Sequence, residues 1–429
     1  MKFKNNRRAL AAACLVAGLG VSPLAGATNG YFPHGYGIKA KGMGGASTAM
    51  ADDALGGATN PAKMVFVGSR LDLGLELFSP HRDAERSAVG FGGLLEGKVS
   101  SDKTVFWVPE VGYNRMLNPN LSVGVTVYGN GGMNTTYPQG PFQCTPDGGV
   151  TIVPGNALCG GGSLGVDLSQ LVVAPTVAWK AAPQHALGAS LLLGYQMFKA
   201  FGVQAFDNAQ QSSAPGSVTN NGYDSSTGVG LRIGYMGQIG SNLSVGAAWS
   251  SKVNMGKLDK YKGLFAGGGD FDIPSNWSLG VAFKPAADLT LALDYQRINY
   301  SGVASVSNSS QIQQQLGSPG GPGFGWQDVD VVKLGLAWQM NPQWTLRAGY
   351  NRGDNPVRAR DVTFNILAPG VMKSHYTAGF TWAMGPSSEL SGALMVAPRQ
   401  TVTGASILAG TETIGMKQYS VGLGWSMKF

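Results

Sequence analysis

The sequence predicts an all-β fold: a transmembrane antiparallel β-barrel of about fourteen strands with an N-terminal plug (hatch) inside the lumen. Composition, periodicity and loop spacing carry this prediction. Charged residues make up 13% of the chain, against about 25% in ordinary soluble domains, and its 65 glycines are about twice the usual share of roughly 7%. No apolar run of 18 or more residues follows the leader, which excludes a helical membrane protein. Short segments instead alternate apolar with small or polar residues, and the connections between them alternate tight with long.

Residues 1–27 read as a secretory signal peptide. Lys2, Lys4, Arg7 and Arg8 precede an apolar stretch at 9–19, and Ala25-Gly26-Ala27 has the form of a cleavage site. Cys14 lies inside that stretch, with no leucine three residues before it, and reads as an ordinary leader residue. The leader holds four of the 31 basic residues and no acidic one, so the net charge falls from +7 to +3 without it. So small a charge gives little support to a nucleic-acid partner. The remainder divides into the plug, 28–67, and the barrel, 68–429. Cys144 and Cys159 share a polar, Gly/Pro-rich segment of an exported chain. A local disulfide is the natural reading, with free thiols as the alternative. A metal is not expected, because a zinc site needs more ligands than these.

The strands follow in order. Leu121, Val123, Val125 and Val127 face one way and Ser122, Gly124 and Thr126 the other. Trp277 to Phe283, Leu289 to Tyr295 and Trp344 to Tyr350 repeat the pattern. A period of two puts alternate side chains on opposite faces. A soluble sandwich would alternate too. It has no reason, however, to sort its loops into short ones (117–120, 181–185, 240–242, 285–288, 341–343, 385–387) and long ones (130–169, 207–225, 256–273, 305–327, 357–371). Tight turns on one side and long loops on the other mark an outer-membrane barrel. The last strand puts Tyr419, Val421, Leu423, Trp425, Met427 and Phe429 on one face and ends on an aromatic residue. Trp179, Trp249, Trp338, Trp382 and Trp425 sit near strand ends and fit an interfacial girdle.

Fourteen strands enclose a lumen that would leak if left open. Residues 28–67 are small and turn-rich, too poor in large apolar residues to form a core, and can fold back as a plug; a disordered tail is the alternative. The run from Gly35 and Gly37 through "AKGMGGASTAMADDALGGATNPAKM" resembles the N-terminal hatch of the FadL/TodX family of outer-membrane transporters. The matching pieces are Gly42, Gly44, Gly45, the Asp52-Asp53 pair and the Asn60-Pro61-Ala62 turn. Barrel size, hatch position and terminal phenylalanine extend the likeness over the mature chain. The resemblance implies a fourteen-stranded barrel in a Gram-negative outer membrane. It implies uptake of a long-chain fatty acid or an aromatic hydrocarbon, movement of the hatch, and exit sideways at a kinked third strand. A monomer surrounded by outer-membrane lipid and lipopolysaccharide is expected, with no cofactor.

Here the third strand, 121–129, meets Gly129, Gly131 and Gly132, which can supply the kink or merely begin a loop. Met133, Phe142, Leu258, Leu264 and Phe265 are candidates for hydrophobic capture, with Leu158 and Leu164 beside them. Each CH₂ that a hydrocarbon buries there contributes roughly 0.8 kcal/mol. Arg232, Lys252, Lys333 and Arg347 are expected in the lumen, meeting a ligand carboxylate or pairing with Asp72, Glu76, Glu110 or Asp294. Asp52 and Asp53 are expected to make structural hydrogen bonds within the hatch.

Two motifs are set aside. Gly35-x-Gly37-x-x-Ala40 follows no strand and opens no helix, and the G-x-S-x-G at 161–165 lacks a strand-to-helix elbow. His34, His81, His185 and His375 are scattered, and no catalytic constellation is apparent, so an enzyme is not expected. The rival function is a general water-filled diffusion porin.

Overall fold

The computed structural model describes residues 28–87, 96–144, 152–408 and 410–429; the expected signal peptide lies outside them. The main sheet has sixteen strands, two of which are short rim pieces, Gly97–Ser100 and Asn254–Met255. The other fourteen are β1 Arg70–Ser87, β2 Phe106–Asn118, β3 Leu121–Asn134, β4 Gly165–Ala182, β5 His185–Phe201, β6 Asp224–Ile239 and β7 Leu243–Ser250, then β8 Asn276–Ala286, β9 Leu289–Ile298, β10 Val329–Gln339, β11 Trp344–Gly353, β12 Ser374–Ala383, β13 Ser388–Ala405 and β14 Thr411–Lys428. Each pairs antiparallel with the next, and β1 pairs with β14 from Arg70–Lys428 to Ser87–Thr411, so the sheet closes without an edge. Closure satisfies the backbone groups that lipid cannot.

The period of two sorts the faces. Leu279, Val281, Leu291, Leu293, Leu334, Val421 and Leu423 are exposed on the outer wall, while Ser122, Thr126, Asp294 and Asn351 are buried inside. At the tight-turn end, Trp344 stacks on Trp382 (6.0 Å) and Tyr113 on the terminal Phe429 (5.9 Å). At the other end Tyr350 meets Tyr376 (5.1 Å). These are the aromatic girdles of a bilayer-spanning wall.

One boundary differs from expectation. β3 continues through the glycines to Asn134, and the following loop is correspondingly shorter. The register with β4 slips between Gly129 and Gly131, leaving Asn130 as the extra residue of a bulge. A glycine-rich strand tolerates that interruption because no side chain must be repacked. Met133 therefore belongs to the wall, opposite Leu168, and not to a loop.

Residues 28–67 lie inside the barrel, with one turn of α-helix at Ile38–Lys41 and 3₁₀ turns at Gly56–Ala58 and Pro61–Phe66. Gly37 does therefore open a short helix, though no strand precedes it. Small residues let backbone meet backbone. A Cβ on Gly349 would lie 2.1 Å from the amide nitrogen of Gly44, and Gly44, at φ +66°, rests on the backbone of Tyr350. Gly45 takes φ +85° against the carbonyl of His34. Gly42 abuts Gly379.

Candidate functional site

The wall carboxylates are spent on the inner segment. Glu76 and Glu110 flank Lys41 at 2.8 and 3.1 Å. Asp294 accepts the Ser47 and Thr48 N–H groups at 2.8 and 2.9 Å. Asp72 accepts the Ala54 N–H at 2.8 Å and pairs with Arg70. Of the pairings with lumen cations offered by the sequence as the alternative to a ligand carboxylate, Lys333 opposite Asp294 is the one the register brings together among the described residues. Burial without a partner is costly for a charge, and the inner segment supplies the partners.

The expected lumen cations are dispersed. Arg232 donates to the Gly57 carbonyl and, at 3.1 Å, to the Tyr128 hydroxyl. Arg347 donates to Thr381 Oγ1 at 2.6 Å. Lys333 faces Asp294 across the β9–β10 pair. Lys252 is not deep in the lumen: it sits at the rim, partly exposed, 2.6 Å from Asp272. In that rim loop, burial and the neighbouring Asp272 push the Asp270 carboxyl up from its ordinary range.

Asn60 ties the inner segment to β6. Its side-chain amide donates to the carbonyls of Thr48 and Tyr235 at 2.8 Å, and its oxygen accepts the Ala62 N–H, capping the turn that Pro61 begins. Asp53 accepts the Leu55 N–H at 3.1 Å and lies 3.8 Å from Lys63; the Asp52 carbonyl accepts Lys39. Asn60→Ala is expected to cost about 3 kcal/mol in all, near 1 kcal/mol for each lost bond, of which the Tyr235 bond is the one that anchors the segment to the barrel. Faster hydrogen exchange across 28–67, with barrel strands unchanged, is the readout.

The long loops enclose an apolar crevice of about 40 Å³. Rings line it from Phe198, Phe206, Phe265, Phe324 and Phe364, with Leu158, Leu264, Leu316 and Leu367 between them. Ser305 is the one polar side chain at its lining among the described residues, and its hydroxyl donates to the Asp270 carbonyl. Leu264 and Phe265 thus stand where capture was expected. The other three candidates do not line it: Met133 is in the wall, Phe142 packs beneath Arg86, and Leu258 is buried in the core. Phe142 belongs to a small hairpin closed by the Cys144–Cys159 disulfide, whose Cα atoms are 5.6 Å apart. Sequence reasoning missed Phe206, Phe324 and Phe364. The available signal was a lone phenylalanine inside each of three polar loops.

Rings continue inward from the crevice. Phe265 meets Phe271 at 4.8 Å and Phe324 meets Trp326 at 6.3 Å. Tyr31, fully buried, lies among Phe271, Tyr300 and Trp326 at 6.2, 5.3 and 5.9 Å. Its carbonyl rests on the bulge: a Cβ on Gly131 would lie 1.8 Å from it. A second small cavity opens there, lined by Pro33, Tyr36, Val108, Tyr128, Gly129 and Gly131 with the Lys41 charge cluster at one side. Two histidines that look scattered in sequence also meet: His34 stacks on His375 with ring centroids 6.0 Å apart. Among the described residues no group of three or more metal-ligating side chains occurs.

A closed fourteen-stranded barrel, internally filled by its leading segment and roofed by an apolar crevice, defines a class of outer-membrane transport proteins. The family model described as outer membrane protein transport protein (OMPP1/FadL/TodX) matches residues 34–401, and the chain belongs to that family. Its fold is that of the Pseudomonas putida toluene transporter TodX, at TM-score 0.69 and 20% identity over 94% of this chain and 100% of that one. A Pseudomonas aeruginosa FadL homologue is similar at TM-score 0.67 and 15% identity, over 93% and 100% of the two chains. The Ralstonia pickettii toluene transporter TbuX gives 0.63 and 17%, over 92% and 99%. No curated protein matches the chain in sequence. The family is one of hydrocarbon and fatty-acid transport channels, not enzymes.

Proposed function

We propose that the chain passively takes up an uncharged hydrophobic molecule, an aromatic hydrocarbon rather than a fatty acid. Capture occurs in the loop crevice, residues 28–67 act as a movable hatch, and the cargo leaves sideways at the β3 bulge. The observation that carries this reading is the crevice itself, lined among the described residues by five phenylalanine rings, one serine and no cation. A carboxylate buried there would lack a partner, which costs several kcal/mol, whereas a ring gains from edge and offset contacts. The toluene transporters among the similar folds agree with this cargo class. A diffusion porin would need open water where the inner segment now makes its ion pairs and hydrogen bonds.

The test is binding of a monocyclic aromatic and of a long-chain fatty acid to detergent-purified protein. The aromatic should bind and Phe265→Ala should weaken it about tenfold, corresponding to the loss of roughly 1.4 kcal/mol of ring contact. Tighter binding of the fatty acid, insensitive to Phe265, would overturn the choice of cargo.

A further inference from the structure

A row of basic side chains crosses the outer wall on the long-loop side. Outward positions are set by register. Tyr376 lies beside Val396, Val396 beside Tyr419, and Tyr419 beside Ser79. One step further outward, Lys417 faces His81 directly across the β14–β1 pair. The β13 strand carries a bulge at this level, between Ala397 and Gln400. Bulges re-aim side chains, and here Arg399 is laid across Gly415, gripping Asp83 at 2.5 and 2.6 Å. Beyond β12, Arg352 of β11 faces Ser374 and donates to its hydroxyl at 2.9 Å. The row Arg352, Arg399, Lys417 and His81 thus spans four strand spacings, roughly 19 Å at about 4.8 Å each.

The row sits immediately above tyrosines. Lys417 lies 5.8 Å over the Tyr419 ring, His81 meets the same ring edge-on at 6.0 Å, and Tyr350 and Tyr376 lie beneath Arg352. Tyrosines of this kind mark headgroup level, so the cations face lipid headgroups and not loops. Only Arg399 has a carboxylate within ion-pair distance among the described residues; Arg352 and Lys417 have none. Across the barrel the outward Arg297 is already neutralised by Asp328 and Asp330. Lys417 and the His81 ring, directly opposite each other, can both donate hydrogen bonds to one phosphate.

We propose that this row is a docking surface for a phosphorylated glycolipid of the outer leaflet. Its phosphates sit over Arg352 and between Lys417 and His81, and its acyl chains lie along Leu394, Val396 and Val421. Arg399, already paired, supplies a geometric rim and little charge.

Native mass spectrometry of the full-length protein, extracted in mild detergent and mixed with bis-phosphorylated lipid A, tests it. Wild type should retain the lipid, and R352Q/K417Q should lose about 30-fold in occupancy, roughly five-fold per cation at an anionic surface. The same lipid stripped of phosphate should be retained no better by wild type than by the variant. A tight-turn-side control, R115Q/K284Q, should retain the lipid as wild type does. Heat-modifiable migration on gels establishes that both variants fold. Equal occupancy in wild type and R352Q/K417Q, no retention by wild type, or undiminished binding of the dephosphorylated lipid would each overturn the proposal.

Discussion

Deleting residues 28–58 is expected to convert the protein into a pore for small polar solutes, with liposome swelling in a pentose rising at least tenfold. The barrel itself closes through β1 and β14 without help from the leading segment. What remains inside after deletion is a wall of Gly, Ser and Thr together with Glu76, Glu110 and Asp294, freed from Lys41, Ser47 and Thr48. Those carboxylates would be hydrated, and a hydrated lumen of this strand number conducts. Arg232 would lose the Gly57 carbonyl and turn to water as well. Unchanged swelling would show that residues 28–58 are not what blocks the lumen.

Replacing Gly129, Gly131 and Gly132 together by valine is expected to abolish uptake of the hydrophobic cargo while leaving a folded barrel. Three β-branched residues favour a regular ladder. They would also fill the small cavity beside Tyr36 and Tyr128. At Gly131 the clash is severe, since the added carbon would overlap the Tyr31 carbonyl. Gly131 also has φ +155°, outside the range that a valine adopts readily. The strand remains held to β2 and β4 along 121–128, so heat-modifiable migration should persist. Normal uptake by a folded triple variant would remove the sideways exit at this place.

The barrel was legible because its physics is local. A period of two, a repeat near ten residues and sorted loop lengths are printed directly in the chain, and Leu279, Val281, Leu291 and Leu293 stand on the outer wall as the pattern required. The inner segment was legible from its motif, which resembles the family's hatch, and from an absence: a stretch too small to bury itself has to borrow its surroundings. Its contacts were not readable, because Lys41 meets Glu76 and Glu110, neighbours on the paired strands β1 and β2, only once the leading segment has folded back into the lumen. The same holds for His34 and His375, separated by most of the chain yet stacked. The crevice was half-legible. Leu264 and Phe265 stood out as apolar residues in a polar loop. Phe198 did not, because it sits near the end of a strand in which apolar residues occupy both faces, Leu187, Leu191 and Leu193 outside and Leu192 inside. The β3 boundary was misplaced for a physical reason: glycines stop a pattern of side chains without stopping hydrogen bonding, so the strand runs on through its bulge.

Passage of oily cargo through a barrel closed to water is tested most directly by recording ionic current and accumulation of a labelled monocyclic aromatic with the same protein preparation, in planar bilayers and in liposomes. Accumulation well above protein-free membranes, with no steady current, is expected. A large steady current, with sugars entering in order of size and the aromatic gaining nothing over protein-free membranes, would contradict it.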